Sequence, residues 1–453
     1  MRNPALRAAL LGALVAAVLS VSPWRAAVDA AVRPPKLSYQ RIKLPNGLTV
    51  LLHQDRSTPI VHVQLWYHVG SKDERPGRTG FAHLFEHMMF KGSKNVEPEQ
   101  HTSMVSSVGG RANAYTNEDA TVYWQTVPSQ YLPLVLWMEA DRMATLRIDE
   151  RNFRNERQVV QEERRMRIEN QPYGRLNEIL FDQAFTVHPY KHPVIGSMKD
   201  LEAATVEDVR EFYRTYYVPA NCTMVIAGDF EIEQVTEMVN RYLARVSLVG
   251  IGSFGISRGT SLAAAGTRAT IEEPWPLPAV VVAHHITYDG HQDSYPLHIV
   301  SKVLSDGQSS RIYRKLVYET GLALTAFGGG NIIEDPNLFF AVAIVNPGQS
   351  PAATEKALIN ELDRLKAEGI TDRELERAKN QFARDYILGR ESLQDKATHL
   401  AHAEVLHDDI TTADGEFDIF QKISLADVQR VAKIYFTPER RVILHVMPKG
   451  GNQ

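Results

Sequence analysis

GFAHLFEHMMFKGS, residues 80–93, sets His83, Glu86 and His87 into an apolar run with Phe81, Leu84, Phe85, Met88, Met89 and Phe90. The spacing predicts a helix, in which residues four apart share a face with Cβ atoms about 5–6 Å apart. His83 and His87 then point the same way and can grip one ion, and imidazole nitrogen suits zinc at about 2.0–2.1 Å. Glu86 borders that face and can take a proton from a water held there without itself being a ligand. The order His-x-x-Glu-His is the reverse of His-Glu-x-x-His, and both occur as zinc-binding motifs. A lone His in an apolar helix reads as a satisfied core residue. Two of them around a carboxylate need another explanation, because Glu is almost never fully buried unpaired.

A catalytic zinc takes three protein ligands and keeps a fourth position open. The best source of the third is NERQVVQEERRM, residues 155–166, where Glu156 and Glu163 stand two helical turns apart beside Val159 and Val160. Glu163 would complete a His-His-Glu set, and Glu156 would orient an imidazole from behind. The same run also reads as a solvated helix face, since Glu162, Arg164 and Arg165 surround Glu163.

Strand patterns flank the motif. LTVLLHQ and PIVHVQLWYHVG precede it, and GGRANAYTNEDATVYWQTV follows it with Gly109-Gly110 as a turn. Residues 132–169 read as helices. Two distant segments then look alike. Asp208, Val209, Arg214, Tyr216, Tyr217 and Pro219 recur as Asp427, Val428, Lys433, Tyr435, Phe436 and Pro438, always 219 positions on. The same offset pairs TPIVHV with LPAVVV, which suggests duplication of one unit. The expected fold class is α+β, with two homologous domains, each a mostly antiparallel sheet packed with helices. The boundaries are 36–246 for the metal-binding domain and 269–448 for its homologue. A Gly/Ser/Ala-rich linker occupies 247–268.

A length of 453 residues allows two to three domains, and 44% apolar with 23% charged residues is ordinary globular composition. Residues 1–30 differ. Arg2 and Arg7 precede the apolar run from Ala8 to Val21, and Val28-Asp29-Ala30 offers a cleavage-like end, so the segment reads as a signal peptide or an uncleaved tether. Its loss removes three arginines and one aspartate and takes the formal charge from −4 to −6. Export to the periplasm or the exterior is expected. No basic run points to nucleic acid. The single Cys222 makes no internal disulfide and reads as a small core residue.

With LPNGLTVLL, VGSKDERPGRTGFAHLFEHMMFKGS, GGRANAYTNEDATVYW, ERQVVQEERRM, FYRTYYVPANCTMVIAGDF and SSRIYRKL in hand, the sequence resembles the pitrilysin–insulysin–mitochondrial processing peptidase family. The likeness is to its half-length bacterial branch and covers nearly all of residues 38–448. The resemblance implies one Zn2+ per chain, held by His83, His87 and Glu163, with Glu86 as general base and Glu156 as the supporting carboxylate. It implies that Asn113, Ala114, Tyr115 and Thr116 form an edge strand to which an extended peptide adds as a further strand. At the 219 offset, Lys302, Ser305 and Asp306 stand for His83, Glu86 and His87, and Phe382 stands for Glu163, so the second half has lost the metal.

The second half also departs from the family pattern. An Arg and a Tyr that reach the substrate carbonyl in many members correspond here to Val317 and Leu324, anchored on Gly321-Leu322-Ala323; Arg311 and Tyr318 lie six residues too early. Deleting a donor aimed at a developing oxyanion costs about 2.7–4 kcal/mol. The expected partner is therefore a related subunit that supplies Arg and Tyr, or a second copy in a homodimer. The expected function is a zinc-dependent endopeptidase of extended or unfolded polypeptides, the catalytic subunit of a dimer. The alternative is a non-catalytic scaffold on the same fold.

Overall fold

Alternation in IVHVQLWY builds the third strand and shows how the whole molecule is layered. Successive side chains of a strand face opposite sides of its sheet. Val61, Val63, Leu65 and Tyr67 enter one core, while Trp66 enters another on the far side. In this computed structural model, which describes residues 33–246 and 266–450, the expected signal segment 1–30 and linker residues 247–265 lie outside the described residues.

The first half runs β1 (Gln40–Lys43), β2 (Thr49–Gln54), β3 (Ile60–Tyr67), α1 (Phe81–Met88), α2 (Gln100–Ser107), β4 (Arg111–Thr116) and β5 (Thr121–Pro128). It continues with α3 (Leu132–Thr145), α4 (Glu150–Arg164), α5 (Leu176–Ala184), α6 (Met198–Ala203), α7 (Val206–Tyr216), β6 (Cys222–Gly228) and α8 (Ile232–Leu243). The second half runs β7 (Arg268–Glu273), β8 (Ala279–His285), α9 (Ser294–Leu304), β9 (Ala323–Gly330), β10 (Leu338–Val345) and α10 (Pro351–Glu368). It ends with α11 (Asp372–Leu388), α12 (Leu393–Val405), α13 (Thr412–Lys422), α14 (Leu425–Tyr435) and β11 (Arg441–Pro448). β7 thus claims Arg268, the last residue assigned to the linker.

The first sheet has the order β1-β2-β6-β3-β5-β4 and the second β7-β11-β8-β10-β9. Each has one parallel pair, β2 with β6 and β7 with β11, and is otherwise antiparallel. The 219-residue offset carries β2 onto β7 and α7 onto α14 end to end. Even the caps repeat. Thr205 and Asp208 form a capping box at the start of α7, and Ser424 and Asp427 form its copy at α14.

Each half covers the other's sheet. α12 lays Leu393, Ala397, Leu400 and Ala401 on Leu51, Trp66, Val122 and Val225 of the first sheet. α5, its counterpart, lays Leu176, Ile179 and Leu180 on Val281, Val342 and Leu444 of the second. This accounts for polar residues inside β3: Gln64 donates to Thr398 Oγ1 of α12 at 2.9 Å and accepts from Trp66 Nε1 at 3.1 Å. A buried charge cluster also joins the halves, with Lys72 Nζ 2.9 Å from Asp119 and 2.7 Å from Glu334. Among the described residues, no helix is long and apolar enough to cross a membrane.

Candidate metal centre

The motif helix α1 buries Phe81, Leu84, Phe85 and Met88 in the first core and leaves His83, Glu86 and His87 half-buried on its other face. Its start is fixed by Glu74, whose two carboxylate oxygens accept from the Gly80 and Ala82 amides at 2.8 and 2.7 Å. Gly80 is required there. Its φ is +89°, and a Cβ would lie 2.6 Å from the Ile195 carbonyl.

α4 packs alongside and carries both candidate carboxylates. Glu163 Oε2 lies 3.4 Å from His87 Nε2 and 3.8 Å from His83 Nε2. One ligand atom from each of the three residues falls within 4.8 Å of the others. Its other oxygen is held by Arg167 at 2.7 Å. Glu156 Oε2 lies 3.4 Å from His87 Nδ1, and its Oε1 is 2.9 Å from Lys91 Nζ. Glu156 therefore aims the opposite nitrogen of His87 at Glu163. Glu86 accepts a hydrogen bond from Thr116 Oγ1 at 2.6 Å. All five predicted side chains and residues Asn113–Thr116 line one cleft of about 560 Å³. Strand β4, which carries Asn113–Thr116, is an edge of its sheet.

Electrostatics differ sharply between the two imidazoles. Burial, His87 and Arg167 push His83 down to about 3, so it is neutral. Burial also opposes a charge on His87, but the Glu156, Glu86 and Glu163 carboxylates outweigh it and its pKa is raised. Burial raises the Glu86 carboxyl, with Thr116 and His87 pulling the other way. Burial acts the same way on Glu156, but His87 and Lys91 outweigh it and hold that carboxyl below the ordinary range.

These residues fit a zinc ion. Tetrahedral ligands at about 2.0–2.1 Å stand about 3.3 Å apart, close to the observed separations. Two imidazoles and a carboxylate are a borderline divalent donor set, and neutral His83 offers a lone pair. Its Nδ1 is buried with no hydrogen-bond partner, so it is not tied into a protein network.

Thr116, Arg167, Lys91 and Glu74 were not foreseen in these roles. Arg167 and Lys91 each lie four residues after a site residue, Glu163 and His87, a spacing that places them on the same helix face. Glu74 left no periodic signal. At the equivalent place in the second half, Lys302 pairs with Asp306 and Asp385 at 3.3 and 2.7 Å, and Phe382 stacks on Phe420. Arg311 is tied to Glu374 through two bonds of 2.7 Å, whereas Tyr318 and Leu324 are exposed. His188 and His192, between α5 and α6, fall outside the cleft: His188 sits 3.3 Å from Asp335 and His192 3.7 Å from Glu74.

The sequence profile described as Insulinase (Peptidase family M16) matches residues 49–197, and that of the Peptidase M16 inactive domain matches 203–382. The chain is 30% identical over 413 residues to the zinc protease PqqE of Helicobacter pylori, covering 90% of this chain and 93% of that one. A crystal structure of a protease from Helicobacter pylori superposes with a TM-score of 0.85 at 30% identity, over 91% of this chain and all of that one. The first half of the periplasmic protease PqqL from Escherichia coli superposes with a TM-score of 0.74 at 18% identity, over 93% of this chain and 94% of that one. The chain belongs to the M16, or insulinase, family of peptidases.

Proposed function

We propose that the chain is a zinc-dependent endopeptidase that cuts extended or unfolded polypeptides. The observation that carries this reading is the convergence of a His-His-Glu donor set, a carboxylate and an unpaired strand edge in one cleft. His83, His87 and Glu163 would hold the ion. Zinc supplies Lewis-acid polarisation of the scissile carbonyl when bound. Glu86 takes the proton of the attacking water and delivers it to the leaving amine. The raised Glu86 pKa suits a group that both accepts and returns a proton. Glu156 positions His87. The β4 edge hydrogen-bonds the substrate backbone, which restricts cleavage to chains that can lie straight.

Val317 is packed against the core and Leu324 carries no donor, so the oxyanion partner must come from elsewhere. A dimer supplies it, with a related subunit or a second copy as the other half. The likeness to one half of a longer protease supports this. Residues 1–30 support export of the mature chain. The test is cleavage of an unstructured peptide and of a tightly folded protein, before and after chelation and zinc restoration. The peptide alone should be cut, and only with metal. Chelator-resistant cleavage would refute the reading.

A further inference from the structure

Among the described residues, two sets of three His, Asp or Glu side chains bring one ligand atom each within 4.8 Å of the others. One is the centre above. The other is Asp289, His402 and His407, none of which lines the cleft. Asp289 lies in the loop between β8 and α9, His402 in the last turn of α12, and His407 two residues past its end. His407 Nε2 is 3.0 Å from Asp289 Oδ2, and His402 Nε2 is 3.4 Å from the same oxygen. These separations are as short as those joining the first set.

Outer contacts fix what each donor presents. Asp289 Oδ1 accepts the Gly290 amide at 2.9 Å, which leaves Oδ2 for the imidazoles. His407 Nδ1 lies 2.9 Å from Thr412 Oγ1. That hydroxyl spends its only proton on the Asp409 carbonyl at 2.8 Å, so toward His407 it can only accept. His407 Nδ1 therefore carries the proton. Neutral His407 then turns its Nε2 lone pair on a carboxylate oxygen, and either a proton or a metal ion bridges the two. A proton on His407 would serve that contact alone. The second imidazole converges on the same oxygen, which it can meet as its Nε2–H tautomer or through an ion shared with His407. One divalent ion satisfies all three donors at once.

We propose that Asp289, His402 and His407 form a second metal site, for a zinc-class divalent ion, that staples the β8–α9 loop to α12. Three protein donors would leave the fourth position of a tetrahedral ion to water. α12 covers the first sheet, and the His402 ring meets Trp66 of β3 edge-on at 6.5 Å, so the ion would tie the second half to the helix that closes the first. Two imidazoles and a carboxylate favour zinc over calcium or magnesium. This site is independent of the catalytic reading, and it raises the expectation of one ion per chain to two.

The test uses the purified full chain, loaded with Zn2+ and freed of excess by gel filtration. Wild type should retain two equivalents, while His83→Ala/His87→Ala and His402→Ala/His407→Ala should each retain one. If the latter pair fails to fold, Asp289→Asn preserves the shape and His402→Gln alters a partly exposed residue. In the His83→Ala/His87→Ala background, each should weaken Zn2+ binding at least tenfold and abolish the zinc-dependent rise in melting temperature. No zinc bound by His83→Ala/His87→Ala would show the cluster to be an imidazolium–carboxylate pair and overturn the proposal. So would undiminished binding by Asp289→Asn or His402→Gln. Failure of the first site alone would leave His83→Ala/His87→Ala equal to wild type, a distinguishable result.

Discussion

Thr116 on the edge strand donates its hydroxyl to Glu86 at 2.6 Å, joining the surface on which a substrate would lie to the group that would handle its proton. Glu86→Gln keeps the shape but not the basicity. It is expected to retain zinc while kcat/KM falls by about 10²–10⁴-fold, the usual worth of general acid–base catalysis. Peptide kinetics beside metal analysis on one preparation check this. Full activity would refute the assignment.

Glu156 touches His87 Nδ1 at 3.4 Å and would act on the metal only through that ring. Glu156→Gln should weaken zinc binding by about 10–100-fold, as outer contacts to metal-ligating histidines usually do. Competition with a chelator measures it. Unchanged affinity would make Glu156 merely the partner of Lys91.

Lys72 lies among Asp119, Glu334 and Asp335, all three buried, with His68 2.9 Å from Glu334 and His188 3.3 Å from Asp335 as further partners. Lys72→Met removes the one lysine of this cluster at the junction of the halves and leaves His68, His188 and the Tyr190 hydroxyl among its remaining partners. A loss of about 3–5 kcal/mol is expected from breaking a buried pair on one side. Urea unfolding tests this, and a loss below about 1 kcal/mol would show that water reaches the cluster.

His62 and His284 are fully buried, and burial holds both down to about 3. Their folded pKa lies below the unfolded value of about 6.5, so the unfolded chain takes up protons that the native chain refuses. The neutral forms support folding fully above about pH 6.5, and that support is lost as pH falls toward 3. The loss is about 1.4 kcal/mol per pH unit per histidine. His62→Asn should flatten the stability–pH slope between 6 and 5 by about that much. An unchanged slope would mean that His62 titrates normally.

Much of the fold and part of the centre were legible in the chain. His83 and His87 declare each other because four residues of helix bring them to one face, and the duplication shows because both halves keep the same caps and Tyr-Pro endings. Glu163 was ambiguous because its charged neighbours resemble a solvated face; only the packing of α4 on α1 turns it inward. The exchange of α5 and α12 between the halves was hidden, since an amphipathic helix does not say whose sheet it covers. Asp289 and His407, 118 residues apart, had no local signal at all.

The measurement that tests the central claim most directly is anomalous diffraction at the zinc edge from crystals of the zinc-loaded chain. The account predicts a peak bonded by His83 Nε2, His87 Nε2 and a Glu163 oxygen, with Glu86 beside it unligated. A cleft without anomalous density, or Glu163 turned away toward solvent, would contradict it.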